Sequence, residues 1–153
     1  MQIYTDGSCN FSPEYQYKKG PGGWAFLLIE KDRIWEVNGG DTLTTNNRME
    51  LEAIINGINF CSSQGVEDGY IEIITDSKYV MKGFTLWIQN WIKKDWKNVK
   101  NVDLWKQLLK VSQDKNIKWT WVKSHSNNKF NDRVDFLAKI FAKNKIKKIK
   151  YPS

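Results

Sequence analysis

Two kinds of apolar spacing share this chain, and the change between them near Thr44 limits the fold more than any other feature. Before it, Gln2 to Thr5, Trp24-Ala-Phe-Leu-Leu-Ile29 and Ile34-Trp-Glu-Val37 have strand composition, with Glu30-Lys-Asp-Arg33 as a hairpin turn. Asp6-Gly-Ser8 breaks the first strand, the glycines and prolines of Asn10 to Gly23 predict a loop, and Gly39 and Gly40 end the hairpin. After Thr44 the period lengthens. Leu51, Ile54, Ile55 and Ile58 recur on one helical face behind the caps offered by Thr44-Thr-Asn-Asn47, predicting a helix to about Ser62. Tyr70-Ile-Glu-Ile-Ile-Thr75 returns to strand composition, and Asp76 and Ser77 cap the next helix. Three strands in succession imply an antiparallel start. A strand–helix–strand alternation requires parallel pairing through right-handed crossovers, so the fold class is α/β with a mixed sheet.

Farther on, Leu104, Leu108, Leu109 and Val111 predict a helix, and Ile117 to Val122 a last strand. Asp132 to Lys143 reads as a last helix with Val134, Leu137, Ala138 and Phe141 inward. No repeat or linker divides the chain, so residues 1–144 form one domain and 145–153, with Lys145-Ile-Lys-Lys-Ile-Lys150, a basic tail. A chain of 153 residues with 41% hydrophobic content can bury a real core. It has no run near the roughly 18 apolar residues of a membrane span, and its first residues lack the pattern of a signal peptide. A soluble cytoplasmic protein without membrane contact is expected. Cys9 and Cys61 lack zinc-site spacing and should stay reduced.

A net charge of +7 favours a polyanionic partner, because lysine and arginine gain affinity by displacing counterions from phosphates. The distribution of that charge points to nucleic acid. Between Lys78 and Lys100 the chain interleaves Lys78, Lys82, Lys93, Lys94, Lys97 and Lys100 with Trp87, Trp91 and Trp96, and Asp95 alone opposes them.

Four acids, Asp6, Glu50, Asp76 and Asp135, each sit in a short polar setting at the edge of an apolar segment. Their recurrence suggests one shared site. Clustered carboxylates repel unless protons or cations neutralise them, and hard divalent cations take oxygen ligands, which makes a pair of Mg²⁺ ions the first expectation. If the strands ending at Asp6 and Asp76 are neighbours, both carboxylates emerge at one end of the sheet. Each acid also has a plainer reading. Glu50 could form a capping box with Asn47, Asp6 could belong to a turn, Asp76 could cap a helix and Asp135 could face a helix dipole. His125, the one histidine, lies in the polar segment Ser124-His-Ser-Asn-Asn128, where a group near pKa 6.5 can move a proton or simply face solvent.

Taken in order, Tyr4-Thr-Asp-Gly-Ser-Cys9, Thr45-Asn-Asn-Arg-Met-Glu-Leu51, Thr75-Asp-Ser77, Trp121-Val-Lys-Ser-His125 and Asn131-Asp-Arg-Val-Asp135 resemble ribonuclease H, type 1, of the bacterial form. Each motif is short, but five in the family's order across nearly the whole chain are specific. The resemblance implies a five-stranded mixed sheet, three antiparallel strands then two parallel, flanked by helices. It further implies a monomeric endonuclease that cuts the RNA strand of RNA–DNA hybrids with two Mg²⁺ ions, or Mn²⁺ in their place, leaving 5′-phosphate and 3′-hydroxyl ends. Asp6, Glu50, Asp76 and Asp135 would hold the metals and His125 would assist beside them. Thr45, Asn46 and Asn47 match residues that contact the hybrid, with Cys9 close to that surface. The lysine–tryptophan stretch resembles a basic protrusion that grips the DNA strand, with Trp87 packing along it and Lys93, Lys94 and Lys97 meeting phosphates. A non-catalytic hybrid-binding module of the same fold is the alternative, though a decayed site usually loses a carboxylate. Three departures stand out: a lengthened loop 10–23, Lys78 where glutamine is usual near the hybrid, and a shortened segment from Trp96 to Trp105.

Overall fold

A computed structural model describes residues 1–11, 13–14, 18–64 and 70–150, with side chains as far as residue 141. One five-stranded sheet runs β3-β2-β1-β4-β5, built from β1 (Gln2–Cys9), β2 (Gly20–Glu30), β3 (Arg33–Thr44), β4 (Tyr70–Thr75) and β5 (Asn116–Trp121). β1 pairs antiparallel with β2 from Gln2↔Ile29 to Cys9↔Gly22, and β2 pairs antiparallel with β3. β1 also pairs parallel with β4, and β4 with β5. The change of spacing near Thr44 is thus the change from hairpins to crossovers.

Helices cover both faces. On one side α1 (Asn46–Ser63) and α4 (Val102–Ser112) pack Leu51, Ile54, Ile58, Leu104 and Leu108 against Ile3, Phe26, Leu28 and Ile73 of the sheet. On the other, α5 (Lys129–Lys150) sets Val134 and Ala138 against Tyr4, Ala25, Leu27 and Ile74. Successive strand residues point to opposite faces, so a sheet buried on both sides needs continuous apolar runs. Ala25-Phe-Leu-Leu28 is such a run, with every residue buried.

Three strands exceed their expected bounds. β1 continues through Asp6-Gly-Ser8, β2 takes in Gly20 to Gly23, and β3 takes in Gly39 and Gly40. Glycine there serves close approach and does not break the strand. A β-carbon at Gly22 would stand 2.6 Å from the Thr44 side chain and 2.8 Å from the carbonyl of Ser8. The rest of the lengthened loop includes residues 12 and 15–17, which lie outside the described residues.

α1 and β4 match the apolar pattern closely, and Thr45 is the cap of α1, its hydroxyl accepting from the Arg48 amide at 3.2 Å. Ser77, and not Asp76, caps α2 (Lys78–Lys82). A π-helical turn over Gly83–Trp87 leads into α3 (Ile88–Lys93), after which left-handed residues Asp95, Trp96, Asn98 and Asn101 turn the chain into α4. Within that protrusion Trp91 is half-buried and packs against the core, its ring 5.1 Å from buried Trp105 and 6.4 Å from Trp96. The last helix starts at Lys129, before the expected Asp132, and its backbone runs on through 145–150. The side chains of the basic tail and residues 151–153 lie outside the described residues.

Candidate active site

The parallel ladder between β1 and β4 ends at Thr5↔Thr75, and the next residue on each strand is an acid, Asp6 and Asp76. Parallel neighbours carry their chains in one direction, so the two carboxylates leave the sheet side by side. β1 itself runs on beside β2, so Asp6 sits inside a strand and not in a turn. Glu50 arrives from the first turns of α1, which crosses β1 at Gly7. The crossing is close: a β-carbon at Gly7 would lie 2.3 Å from the main-chain nitrogen of Glu50. Across that crossing the Gly7 N–H donates to Glu50 Oε1, and it also meets Asp6 Oδ1 at 2.9 Å. This replaces the capping-box reading of Glu50, because Thr45 is the cap and Glu50 takes its donor from another strand.

Carboxylate oxygens of Asp6, Glu50 and Asp76 all lie within 4.8 Å of one another. Asp6 is 4% exposed and Glu50 5%. Burial, more than any other cause, pushes the Asp6 carboxyl far up, and the Glu50 and Asp76 charges push it the same way. Glu50 is raised by burial too, against the opposing effect of its hydrogen bond with Asp6. Asp135, from the second turn of α5, lines the same hollow of about 310 Å³. It is half-buried and its Oδ2 pairs with Lys139 Nζ at 3.0 Å, one turn along the helix. The fold therefore gathers all four acids around one hollow, three of them tightly and Asp135 paired beside them.

His125 is exposed in the loop between β5 and α5, at φ 57°. Its neighbour Ser124 reaches the acids: the Ser124 hydroxyl donates to Asp76 Oδ2 at 2.7 Å. Sequence pattern singles out neither Ser124 nor Lys139, although Ser124 sits inside a family motif and Lys139 is four residues from Asp135.

Asn46 lines the acid hollow. Thr45 and Asn47 open instead on an adjoining cleft of about 640 Å³, shared with Lys19, Arg48, Lys100 and Asn101. Arg48 is held there by a two-pronged bond to Asp103, at 2.7 and 3.0 Å, and by Asn101 Oδ1 at 3.3 Å. Cys9 is turned into the protein, its thiol donating to the carbonyls of Thr44 at 3.4 Å and Gly20 at 3.5 Å, with burial raising its pKa. Lys78 lays its ammonium 4.9 Å from the centre of the Trp121 ring. Trp87 is 41% exposed against Trp91, and Lys93, Lys94 and Lys97 are exposed at the end of α3 and in the turn after it.

Comparison with known proteins gives one answer. The family model described as RNase H matches residues 1–143. Ribonuclease H of Hahella chejuensis is 46% identical over 148 residues, covering 94% of this chain and 93% of that protein. Ribonuclease HI of Xylella fastidiosa is 45% identical over 144 residues, covering 91% and 89%. Among solved structures, LC11-RNase H1 in complex with RNA/DNA hybrid superposes with a TM-score of 0.67 at 21% identity, covering 95% of this chain and 98% of that one. RNase H1 from the archaeon Halobacterium salinarum gives 0.62 at 20% identity, covering 94% and 97%. At those identities the structures speak for the fold alone.

Proposed function

The chain belongs to the ribonuclease H family, and on that premise we propose that it cuts the RNA strand of RNA–DNA hybrids with two divalent cations, leaving 5′-phosphate and 3′-hydroxyl ends. The observation that carries this reading is the convergence of Asp6, Glu50 and Asp76 within 4.8 Å in a largely buried setting. Such a group is costly without a counter-charge. Lys139 lines the hollow, but its ammonium pairs with Asp135.

The donor set fits a hard divalent cation, since every ligand on offer is a carboxylate oxygen. Asp6, Glu50 and Asp76 would hold the ions, with Asp135 completing the set from α5. When bound, such ions polarise the scissile phosphate and lower the pKa of a coordinated water. The chain's own residues do the rest. The Gly7 N–H holds Glu50 by a hydrogen bond and so fixes one of its oxygens beside the hollow. His125, exposed on its loop, takes or returns a proton at its imidazole nitrogen. Thr45, Asn46 and Asn47 meet the hybrid at the start of α1, where free amides and short polar side chains suit phosphate and 2′-hydroxyl groups. Cys9 shapes that edge from inside, while Lys78, Trp87, Lys93, Lys94 and Lys97 offer charge and ring surface to the DNA strand.

The ion identity is Mg²⁺, with Mn²⁺ able to replace it, and the protein acts as a monomer in the cytoplasm, with 1–144 as the catalytic domain. No helix among the described residues is long and apolar enough to cross a membrane. The decisive experiment offers a labelled RNA–DNA hybrid beside single-stranded RNA, duplex RNA and duplex DNA of matched sequence. Mg²⁺-dependent cutting confined to the RNA of the hybrid supports the reading. Equal cutting of duplex RNA, or none of the hybrid, defeats it.

A further inference from the structure

At the end of the β4–β5 ladder, whose last rung is Thr75↔Trp121, three donors in the segment from Trp121 to Ser124 fall on Thr75, the last residue of β4, and on Asp76 just after it. The Val122 amide donates to the Thr75 carbonyl at 3.0 Å, and the Trp121 indole N–H to the Asp76 carbonyl at 3.1 Å. The Ser124 hydroxyl then donates to Asp76 Oδ2 at 2.7 Å. The first two bonds fix the backbone that carries Asp76. The third alone acts on its carboxylate, one oxygen of which also lies within 4.8 Å of the Asp6 and Glu50 carboxylates.

We propose that Ser124 is a positioning residue that sets the rotation of the Asp76 carboxylate and, through it, ties the loop carrying His125 to the acid cluster. The proposal rests on the hybrid-cleaving reading above. A hydroxyl–carboxylate bond at this length is charge-assisted, and donors of this kind orient the ligands of metal sites. The left-handed backbone at His125, φ 57°, turns the chain just after Ser124, so the bond is made one residue before that turn. Lys78, at the start of α2, lays its ammonium over the ring of the same Trp121.

The test is calorimetric titration of Mn²⁺ into the full chain without nucleic acid, for the parent, Ser124→Ala and Ser124→Thr. Loss of the hydroxyl should weaken divalent binding about 10-fold, the lower end of what such orienting partners contribute. Ser124→Thr, which keeps the hydroxyl, should restore it. Melting of the metal-free protein should be the same for all three, since Ser124 is exposed. In turnover, kcat of Ser124→Ala should recover as the metal concentration rises, with KM for the hybrid unmoved. Parent-like Mn²⁺ affinity in Ser124→Ala, or equal loss in both variants, overturns the proposal. A parent protein that binds no Mn²⁺ and leaves the hybrid intact removes the functional reading itself, an outcome distinct from a working parent beside an unaffected variant.

Discussion

Gly7 and Glu50, 43 residues apart in sequence, meet twice: the Gly7 N–H donates to the Glu50 carboxylate, and a β-carbon at Gly7 would lie 2.3 Å from the Glu50 main-chain nitrogen. The neighbours of that β-carbon are backbone atoms of α1, which cannot swing aside as a side chain can. Gly7→Ala should therefore push α1 away from β1, with a destabilisation of about 1–3 kcal/mol as expected for overpacking. Urea unfolding measures it, and a variant as stable as the parent would contradict the close crossing. Turnover should fall further than stability, because the shift carries Glu50 with it.

The carboxyl groups of Asp6 and Asp76 reach within 4.8 Å of each other and of Glu50. Both asparagine variants keep the shape; Asp76→Asn removes a charge from the cluster, so its metal-free form should melt at a higher temperature than the parent, while Asp6→Asn replaces a carboxyl that burial keeps protonated and should change metal-free melting little. The rise in melting temperature on adding Mg²⁺ should shrink, and hybrid cleavage should nearly vanish while metal-free hybrid binding survives. Near-normal turnover at saturating Mg²⁺ in both variants would take these residues out of the site.

His125 stands on an exposed loop, one residue beyond the serine that binds Asp76. A proton-transfer helper placed there should lower kcat by about 10²-fold or less when replaced by alanine, with KM hardly changed. An inactive His125→Ala enzyme, or one altered in KM alone, would contradict that role.

Arg48 pins the start of α1 to Asp103 of α4, and its guanidinium holds the Asp103 carboxyl below the usual carboxylate range. A carboxyl with a lowered folded pKa adds stability above its unfolded value of about 3.9 and loses it as pH falls through the folded value. Asp103→Asn should thus cost less than about 1 kcal/mol at pH 7, the modest size coming from the exposure of the pair. As pH falls from 7, the difference from the parent should begin to shrink near the unfolded value of about 3.9 and vanish only below the lowered folded value. Urea midpoints at the two ends of that range decide it; a gap that persists in acid would mean that shape and not charge is at stake.

Lys93, Lys94 and Lys97 are exposed around the end of α3, in the segment that also carries Trp91 and Trp96 of the cluster around Trp105. Replacing the three by alanine should weaken hybrid binding and flatten its salt dependence, by about one unit of log–log slope for each phosphate no longer neutralised. Cleavage at saturating hybrid should continue. A parent-like slope would move the DNA-gripping role elsewhere, with the basic tail as the next candidate.

Local pattern is enough for much of this molecule. Leu51, Ile54, Ile55 and Ile58 declare α1 through their spacing, Tyr70 to Thr75 declares β4 through composition, and Thr45-Asn-Asn-Arg-Met-Glu50 carries the family likeness in contiguous residues. The four acids are legible for the same reason, since each stands in its own short motif. Gly20 to Gly23 and Gly39 to Gly40 mislead as breaks because glycine's local preference is to interrupt a strand, while its use here depends on how near Thr44 and Ser8 come to Gly22, Trp24 to Gly39, and the Gly22 carbonyl to Gly40. The tight meeting of Asp6, Glu50 and Asp76 with Asp135 beside it, the inward turn of Cys9, and the hold of Ser124 and Trp121 on Asp76 likewise belong to the tertiary structure. Such pairings join residues tens of positions apart, and no local periodicity records a distance that only the closed sheet and its crossing helices set.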